Sequence, residues 1–286
     1  MNPEVQHFYH EPSGTFSYVV SDPATSVAVI IDSVLGFSAV SGQTDAGPAE
    51  TIIAYVEKRG LSIEWILETH AHADHLSAAQ MLKERLGGKI AIGEGIRKVQ
   101  SHFGPVFNLG PAFATDGTQF DHLFVDKDEF AIGELSCRVI HTPGHTNDSV
   151  TYVIGNAAFV GDTVFMTDYG TARCDFPGGD AGLLYDSIQT LFGLPEDTMI
   201  HLCHDYPPDD RPLQFATPLA DQKSTNIHVG GGVQREDYVA MRESRDATLA
   251  LPALILPSIQ VNIQAGELPA AEDNDISYIK IPLDIL

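Results

Sequence analysis

Basic residues are scarce. Lys and Arg number 16 against 39 Asp and Glu in 286 residues, which leaves a formal net charge of −23. A surface that acidic repels phosphate backbones and anionic lipid, and this counts against nucleic acid and membrane-surface partners. Cysteine is scarce too. Cys137, Cys174 and Cys203 are too few and too scattered for a disulfide framework, and a reducing compartment suits them. No run of about 18 apolar residues exists, so no membrane span is expected. The segment from Met1 to Thr15 has neither a basic start nor an apolar stretch. No secretory signal is read there, and the expected location is cytoplasmic.

With 43% hydrophobic residues, the chain can bury a substantial core. Strands are expected at Phe16–Val20 and Ser26–Ile31, around the turn signal Asp22-Pro23. Pro48–Arg59 reads as a helix: Pro48 suits a first turn, Ile52, Ile53 and Val56 repeat at helical spacing, and Gly60 stops it. Ile63–Leu67 reads as a buried strand leading into Thr69-His70, Asp74–Leu86 as a helix and Lys89–Ile92 as the next strand. From Phe120 the pattern turns to strands at Glu129–Ile132, Ser136–His141, Ser149–Ile154 and Ala157–Val160. A helix at Ala181–Phe192 and a last core strand at Thr198–Cys203 follow. Such halves, strand-rich with helices outside, suggest two mixed sheets packed face to face between helical layers. Residues 1–206 form the expected core. Residues 207–286 read as an elaboration packed on the same domain: irregular after Tyr206, helical from Arg235 to Ala250, and closing on a strand near Tyr278–Ile281.

Thr69-His70-Ala71-His72-Ala73-Asp74-His75 puts three imidazoles and a carboxylate within six residues. His145, Asp162 and His204 add further ligands near expected strand ends, where a scaffold presents functional groups. Imidazole and carboxylate are the donors that borderline divalent metals take. Crowded imidazoles would repel if protonated, and a metal keeps them neutral and ordered. A single histidine in a loop is ordinarily just a polar residue, and His7, His10, His102, His122, His141 and His201 are read that way. His228 stays open.

The His-x-His-x-Asp-His run at 70–75, His145 in Thr142-Pro143-Gly144-His145-Thr146, Asp162 in Gly161-Asp162-Thr163 and His204 together resemble the metallo-β-lactamase superfamily. The resemblance implies an α/β fold, an αββα sandwich with the metal at one edge of the sheets. The stretch Tyr169–Phe176 and Cys203-His204-Asp205-Tyr206 look further like the persulfide dioxygenases. Leu254–Gln264, Pro269–Asn274 and Tyr278–Leu283 resemble a bacterial branch of that group. That likeness implies one Fe(II) per chain held by His70, His145 and Asp162, with O2 and glutathione persulfide as substrates; it leaves Asp74, close to the iron but not one of its ligands, as the candidate for moving a proton, and it also allows a homodimer. His72, Asp74, His75 and His204 match positions that hold a second metal in glyoxalase II. All seven ligand types are present, so one metal and two both stay open at this point. A glyoxalase II-type hydrolase of glutathione thioesters is the rival, and a non-catalytic sulfur sensor a third reading. Glutathione carries two carboxylates, which points to Arg173 as an anchor; the alternative is an internal ion pair with Asp175, and the two roles are compatible, since Asp175 could orient Arg173. Tyr206, Arg211 and Lys223 are further substrate-binding candidates. Cys174 reads as a packed small residue and Cys203 as buried and inert.

Overall fold

The computed structural model describes residues 2–285. The first half runs β1 (Glu4–His10), β2 (Thr15–Ser21), β3 (Val27–Ile31), β4 (Val34–Ser38), β5 (Gln43–Asp45), α1 (Gly47–Arg59), β6 (Ser62–Leu67), β7 (Leu76–Ser77), α2 (Ala79–Leu86), β8 (Lys89–Gly93), α3 (Ile96–Val106) and β9 (His122–Phe124). The second runs β10 (Glu129–Ile132), β11 (Leu135–His141), β12 (Val150–Ile154), β13 (Ala157–Phe159), α4 (Ala181–Phe192), β14 (Met199–His201), β15 (Ala216–Pro218), α5 (Leu219–Thr225), α6 (Arg235–Asp246) and α7 (Ile255–Asn262).

Two six-stranded sheets have the orders β1-β2-β3-β6-β8-β9 and β10-β11-β12-β13-β14-β15, and a small third sheet has the order β5-β4-β7. Side chains alternate across each strand. Phe16, Tyr18 and Val20 of β2 and Val29 and Ile31 of β3 face the second sheet, where Val139, Tyr152 and Phe159 meet them. Val19, Ala28 and Ile30 face the opposite way, onto α1, α2, α3 and α7. Leu184 and Ile188 of α4 and Tyr238 of α6 cover the outer face of the second sheet. The layers are helix, sheet, sheet, helix, the αββα sandwich that the ligand motifs implied. Local signals shape the helices. Pro48 sits in the first turn of α1 and Gly60 ends it in a left-handed conformation. Asp180 caps α4 by accepting from the Leu183 N–H.

Several expectations change. The helix read from Asp74 begins only at Ala79, because His72–His75 turn into the site and Leu76–Ser77 pair with β4. Helix α6 ends at Asp246 rather than Ala250. Thr198–Cys203 is not the last core strand, since β15 adds beyond it through Met199–Pro218 and His201–Ala216 pairing. Tyr278–Ile281 forms no strand and pairs with none among the described residues. The polar N-terminus proves to be an edge strand, β1, whose side chains are mostly only half-buried. The segment after Tyr206 packs on the core through Tyr238, Ile255 and Ile259.

His201, read as an ordinary polar residue, is buried flat against Phe159 at 4.7 Å between ring centroids. Burial, and then His7, push its pKa from 6.5 to about 4. The folded chain therefore holds it neutral while the unfolded chain takes up a proton below pH 6.5. Its contribution is complete above pH 6.5 and drains away as pH falls towards 4, about 3 kcal/mol in all. His201→Phe should flatten this acid limb. Denaturant melts of both proteins from pH 7 to 4 check it, and parallel curves would refute it.

Candidate metal centre

The ligand types gather where both sheets end. His70 follows β6, His145 lies between β11 and β12, Asp162 follows β13, and His204 follows β14. His70, His145 and Asp162 offer donor atoms that all lie within 4.8 Å of one another. His145 Nε2 is 3.6 Å from Asp162 Oδ2, and His204 Nε2 is 3.3 Å from Asp162 Oδ1. Two glycines permit this closeness. Gly161 has φ +52°, and a Cβ there would stand 2.6 Å from Thr69 Oγ1. Gly144 has φ +138°, and a Cβ would meet the Leu184 backbone at 2.3 Å.

Each imidazole is held by one nitrogen and leaves the other for the centre. His145 Nδ1 donates to the Arg173 carbonyl at 2.7 Å, and His204 Nδ1 to the Gly14 carbonyl at 3.0 Å. Thr69 Oγ1 gives its proton to Asp32 Oδ2, so it accepts from His70 Nδ1 at 3.0 Å. His72 Nε2 donates to Asp32 Oδ1 at 3.0 Å, and His75 Nδ1 to Asp74 Oδ2 at 3.1 Å. His72 Nδ1, His75 Nε2 and Asp162 Oδ1 are buried and make no hydrogen bond among the described residues. Buried polar atoms are normally paired, and bare imidazole nitrogens backed by carboxylates or carbonyls are how proteins present metal ligands. The residues fit a divalent metal.

Electrostatics agree for His70 and His72 and differ for His204, where burial lowers the pKa but Asp162 and Asp74 outweigh it and raise it above the ordinary value. Burial, and then His72, hold His70 well below its ordinary range; burial and His75 push His72 down to about 3. Both are neutral lone-pair donors near pH 7. Burial pushes Asp162 up, but His204, His145 and His70 outweigh it, and the net shift is downward. Burial likewise opposes ionisation of Asp74, yet His75 and His204 hold it well below the usual carboxylate range. At neutral pH Asp74 is an acceptor rather than an acid.

The centre opens into a pocket of about 260 Å3 lined by His70, His145, Asp162 and His204. Arg173 and Tyr206 also line it, and Tyr206 stacks beside His204. The Arg173 fork is taken: Nε and Nη2 each reach Asp175 at 2.6 Å, and Nη1 donates to the Ala250 carbonyl. Lys223 is not in the pocket wall. Leu219 and Gln222 form the buried face of α5, and Lys223 lies off it. Arg211 is engaged by Asp168 and Asp205. Burial raises the thiols of Cys174 and Cys203 far above their ordinary range, which leaves both inert. His228 is a buried acceptor for the Thr171 N–H, a strut behind the wall.

Three groups carried no local sequence signal. Arg242 and Arg245 of α6 line the pocket. Arg242 is buried and paired with Asp246, whereas Arg245 is exposed and makes no ion pair among the described residues. Asn262 donates to the His72 and His75 carbonyls, both at 2.8 Å, and accepts from the Ser77 N–H. One amide thus ties down the ligand loop. Asn262→Leu should lower stability by about 3 kcal/mol, since orphaned buried groups cost about 1–3 kcal/mol each. Denaturant melts of metal-free protein measure this, and an unchanged midpoint would count against it.

Comparison with known proteins follows the same line. The sequence profile of the metallo-beta-lactamase superfamily matches residues 10–204, from β1 to the last histidine of the centre. A probable metallo-hydrolase of Burkholderia pseudomallei is 51% identical over 99% of each chain. Glyoxylase B2 of Dictyostelium discoideum is 50% identical over 99% of this chain and 98% of its own. Among solved structures, ETHE1 from Myxococcus xanthus superposes with a TM-score of 0.73 at 29% identity, covering 92% of this chain and 100% of that one. The sandwich, the ligand run at its edge and a match spanning both together make this chain a member of the metallo-beta-lactamase superfamily.

Proposed function

We propose that the protein is a persulfide dioxygenase acting at one ferrous ion. Glutathione persulfide, O2 and water give glutathione, sulfite and two protons, and the terminal sulfur supplies the electrons that reduce O2. The observation that carries this reading is the set of two imidazoles and one carboxylate, His70, His145 and Asp162, turned onto one pocket. That set suits a non-haem ferrous ion, which when bound supplies the places for O2 and persulfide sulfur and the electron transfer between them. The likeness to ETHE1 over that protein's full length supports the same reading.

The chain's own residues provide the rest. The Arg173 carbonyl fixes the His145 ring. Phe165 and Phe176 make the pocket wall apolar beside the ligands, which limits water. Asp74 stays ionised at the pocket edge, and because His75 and His204 hold its pKa well below the usual carboxylate range it can relay a released proton only transiently. Arg245 offers an unengaged guanidinium to a substrate carboxylate.

A two-metal thioester hydrolase is favoured by other observations: the unpartnered His75 Nε2, and relatives called metallo-hydrolase and Glyoxylase B2. Assays on one preparation separate the two. The dioxygenase consumes O2 only with persulfide present and leaves a glutathione thioester intact. Rapid thioester hydrolysis without O2 would establish the hydrolase instead.

A further inference from the structure

Arg211, which the sequence offered as a substrate contact, is spent on two carboxylates. Nε and Nη2 reach Asp168 at 2.6 and 3.2 Å, and Nη1 and Nη2 reach Asp205 at 2.8 and 2.6 Å. Nη1 also donates to the Pro212 carbonyl at 3.1 Å. A guanidinium has five N–H donors, and these contacts use all of them. No donor remains for a ligand. Exposed ion pairs contribute little, but this clamp is not one of them. The Asp205 carboxylate is shut off from solvent, and the Arg211 side chain is only 17% exposed. Asp205 also accepts from the Gln214 N–H at 2.7 Å.

Each clamped carboxylate is followed by a tyrosine of the pocket wall: Asp168 by Tyr169, and Asp205 by Tyr206. The first pair lies in the turn closed by the Val164–Thr171 bridge, and the second directly follows His204. No backbone hydrogen bond joins these two stretches among the described residues. Arg211 links them, and the two phenol rings meet with centroids 4.7 Å apart. Phe165 meets both rings edge-on. Tyr206 also lies nearly parallel to the His204 ring and packs on Gly14, where a Cβ would stand 3.4 Å from it. Three aromatic rings thus form one wall of the pocket beside His204. Divalent sulfur is polarisable and packs favourably on aromatic rings, and a persulfide carries two such atoms.

We propose that Arg211 is a positioning residue that sets the Tyr169–Tyr206 pair as the seat of the substrate's sulfur atoms. This rests on the persulfide reading above. The wall serves any persulfide, with or without carboxylates, and so acts on a different part of the substrate from Arg245. Arg211 supplies geometry rather than binding strength, and a misplacement of ~1 Å can cost about 100-fold in rate.

The test is a mutant cycle on iron-loaded protein. Arg211→Ala is expected to keep its iron and its far-ultraviolet circular dichroism. Its kcat should fall roughly 10–100-fold for glutathione persulfide and for a small persulfide alike, with little change in either KM. Arg211→Lys restores the charge without the fork and should recover little of that loss. Tyr169→Leu should lower kcat as well. Adding Arg211→Ala to it should cost no more than about twofold further, because groups that act through one another are not additive. Near-ultraviolet circular dichroism of metal-free protein reads the tyrosines without turnover. There Arg211→Ala should move the signal in the same direction as Tyr169→Leu. Asp168→Ala opens only the exposed end of the clamp and leaves Asp205 paired. It should shift kcat and the tyrosine signal the same way, and it serves if Arg211→Ala folds poorly. Unchanged kcat in these folded variants, or full additivity with Tyr169→Leu, overturns the positioning role and leaves the persulfide reading intact. Iron-loaded wild type that consumes no O2 with persulfide overturns that reading, and the sulfur seat with it.

Discussion

His145→Ala is expected to leave the protein folded, without iron and without persulfide-dependent O2 uptake. His145 presents Nε2 to the centre because its Nδ1 is fixed on the Arg173 carbonyl. Removing it takes away one of the three donors grouped with His70 and Asp162. Loss of a mere outer partner costs roughly 10–100-fold in metal affinity, and loss of a ligand should exceed that. His70→Ala and Asp162→Ala should behave alike. The Asp162 variant adds a second defect, since its carboxylate also faces His204. Iron content after anaerobic loading is the readout. Full occupancy in any of the three variants would remove that residue from the ligand set.

Arg245→Ala has the next largest expected effect, and it falls on the substrate. Arg173 has spent its fork on Asp175, and Arg242 is buried against Asp246. Arg245, three residues beyond Arg242 on α6, is the remaining guanidinium in the pocket wall and has no ion-pair partner among the described residues. A hydrogen bond to a charged group contributes about 1.5–3 kcal/mol, roughly 10–100-fold in binding. KM for glutathione persulfide should rise by that factor while kcat holds, the signature of an anchor remote from the reacting atoms. A small persulfide without carboxylates should be unaffected. Equal changes for both substrates would refute the anchoring role. The contrasting variant is Arg173→Ala. Because Asp175 already occupies that guanidinium, its loss should act through the neighbouring His145 carbonyl contact and lower kcat for both substrates.

Legibility in the sequence followed the range of the interactions. Helix α1 was readable because apolar spacing, Pro48 and Gly60 are local signals. The metal ligands were readable because four of them fall within six residues and their residue types are chemically restrictive. The apolar residues near Tyr278–Ile281 suggested a strand, but a strand needs a partner edge, and none of the described strands pairs with it. The start of α2 was misplaced because His72, Asp74 and His75 obey the metal centre rather than helix propensity. Arg245, Asn262 and Thr15 were not marked at all. Each reaches the site from a distant stretch of chain: Thr15 meets Asp74 across 59 residues and Asn262 meets His72 across 190. Arg173 shows the same limit from the other side. The residue does line the pocket, and of the two roles the sequence left open, the ion pair with Asp175 is the one that forms.

The proposed reaction is oxygen-dependent oxidation of a persulfide by a one-iron centre. Its most direct measurement uses metal-free protein loaded with one equivalent of Fe(II) and sealed with a known amount of O2. Glutathione persulfide is added, and O2 loss and sulfite gain are followed together. The expected result is uptake that begins with the persulfide, sulfite formed in equal amount to the O2 consumed, and no further gain in rate from a second equivalent of Fe(II). Iron-loaded protein that consumes no O2, or that gains activity only with the second equivalent, would contradict the account.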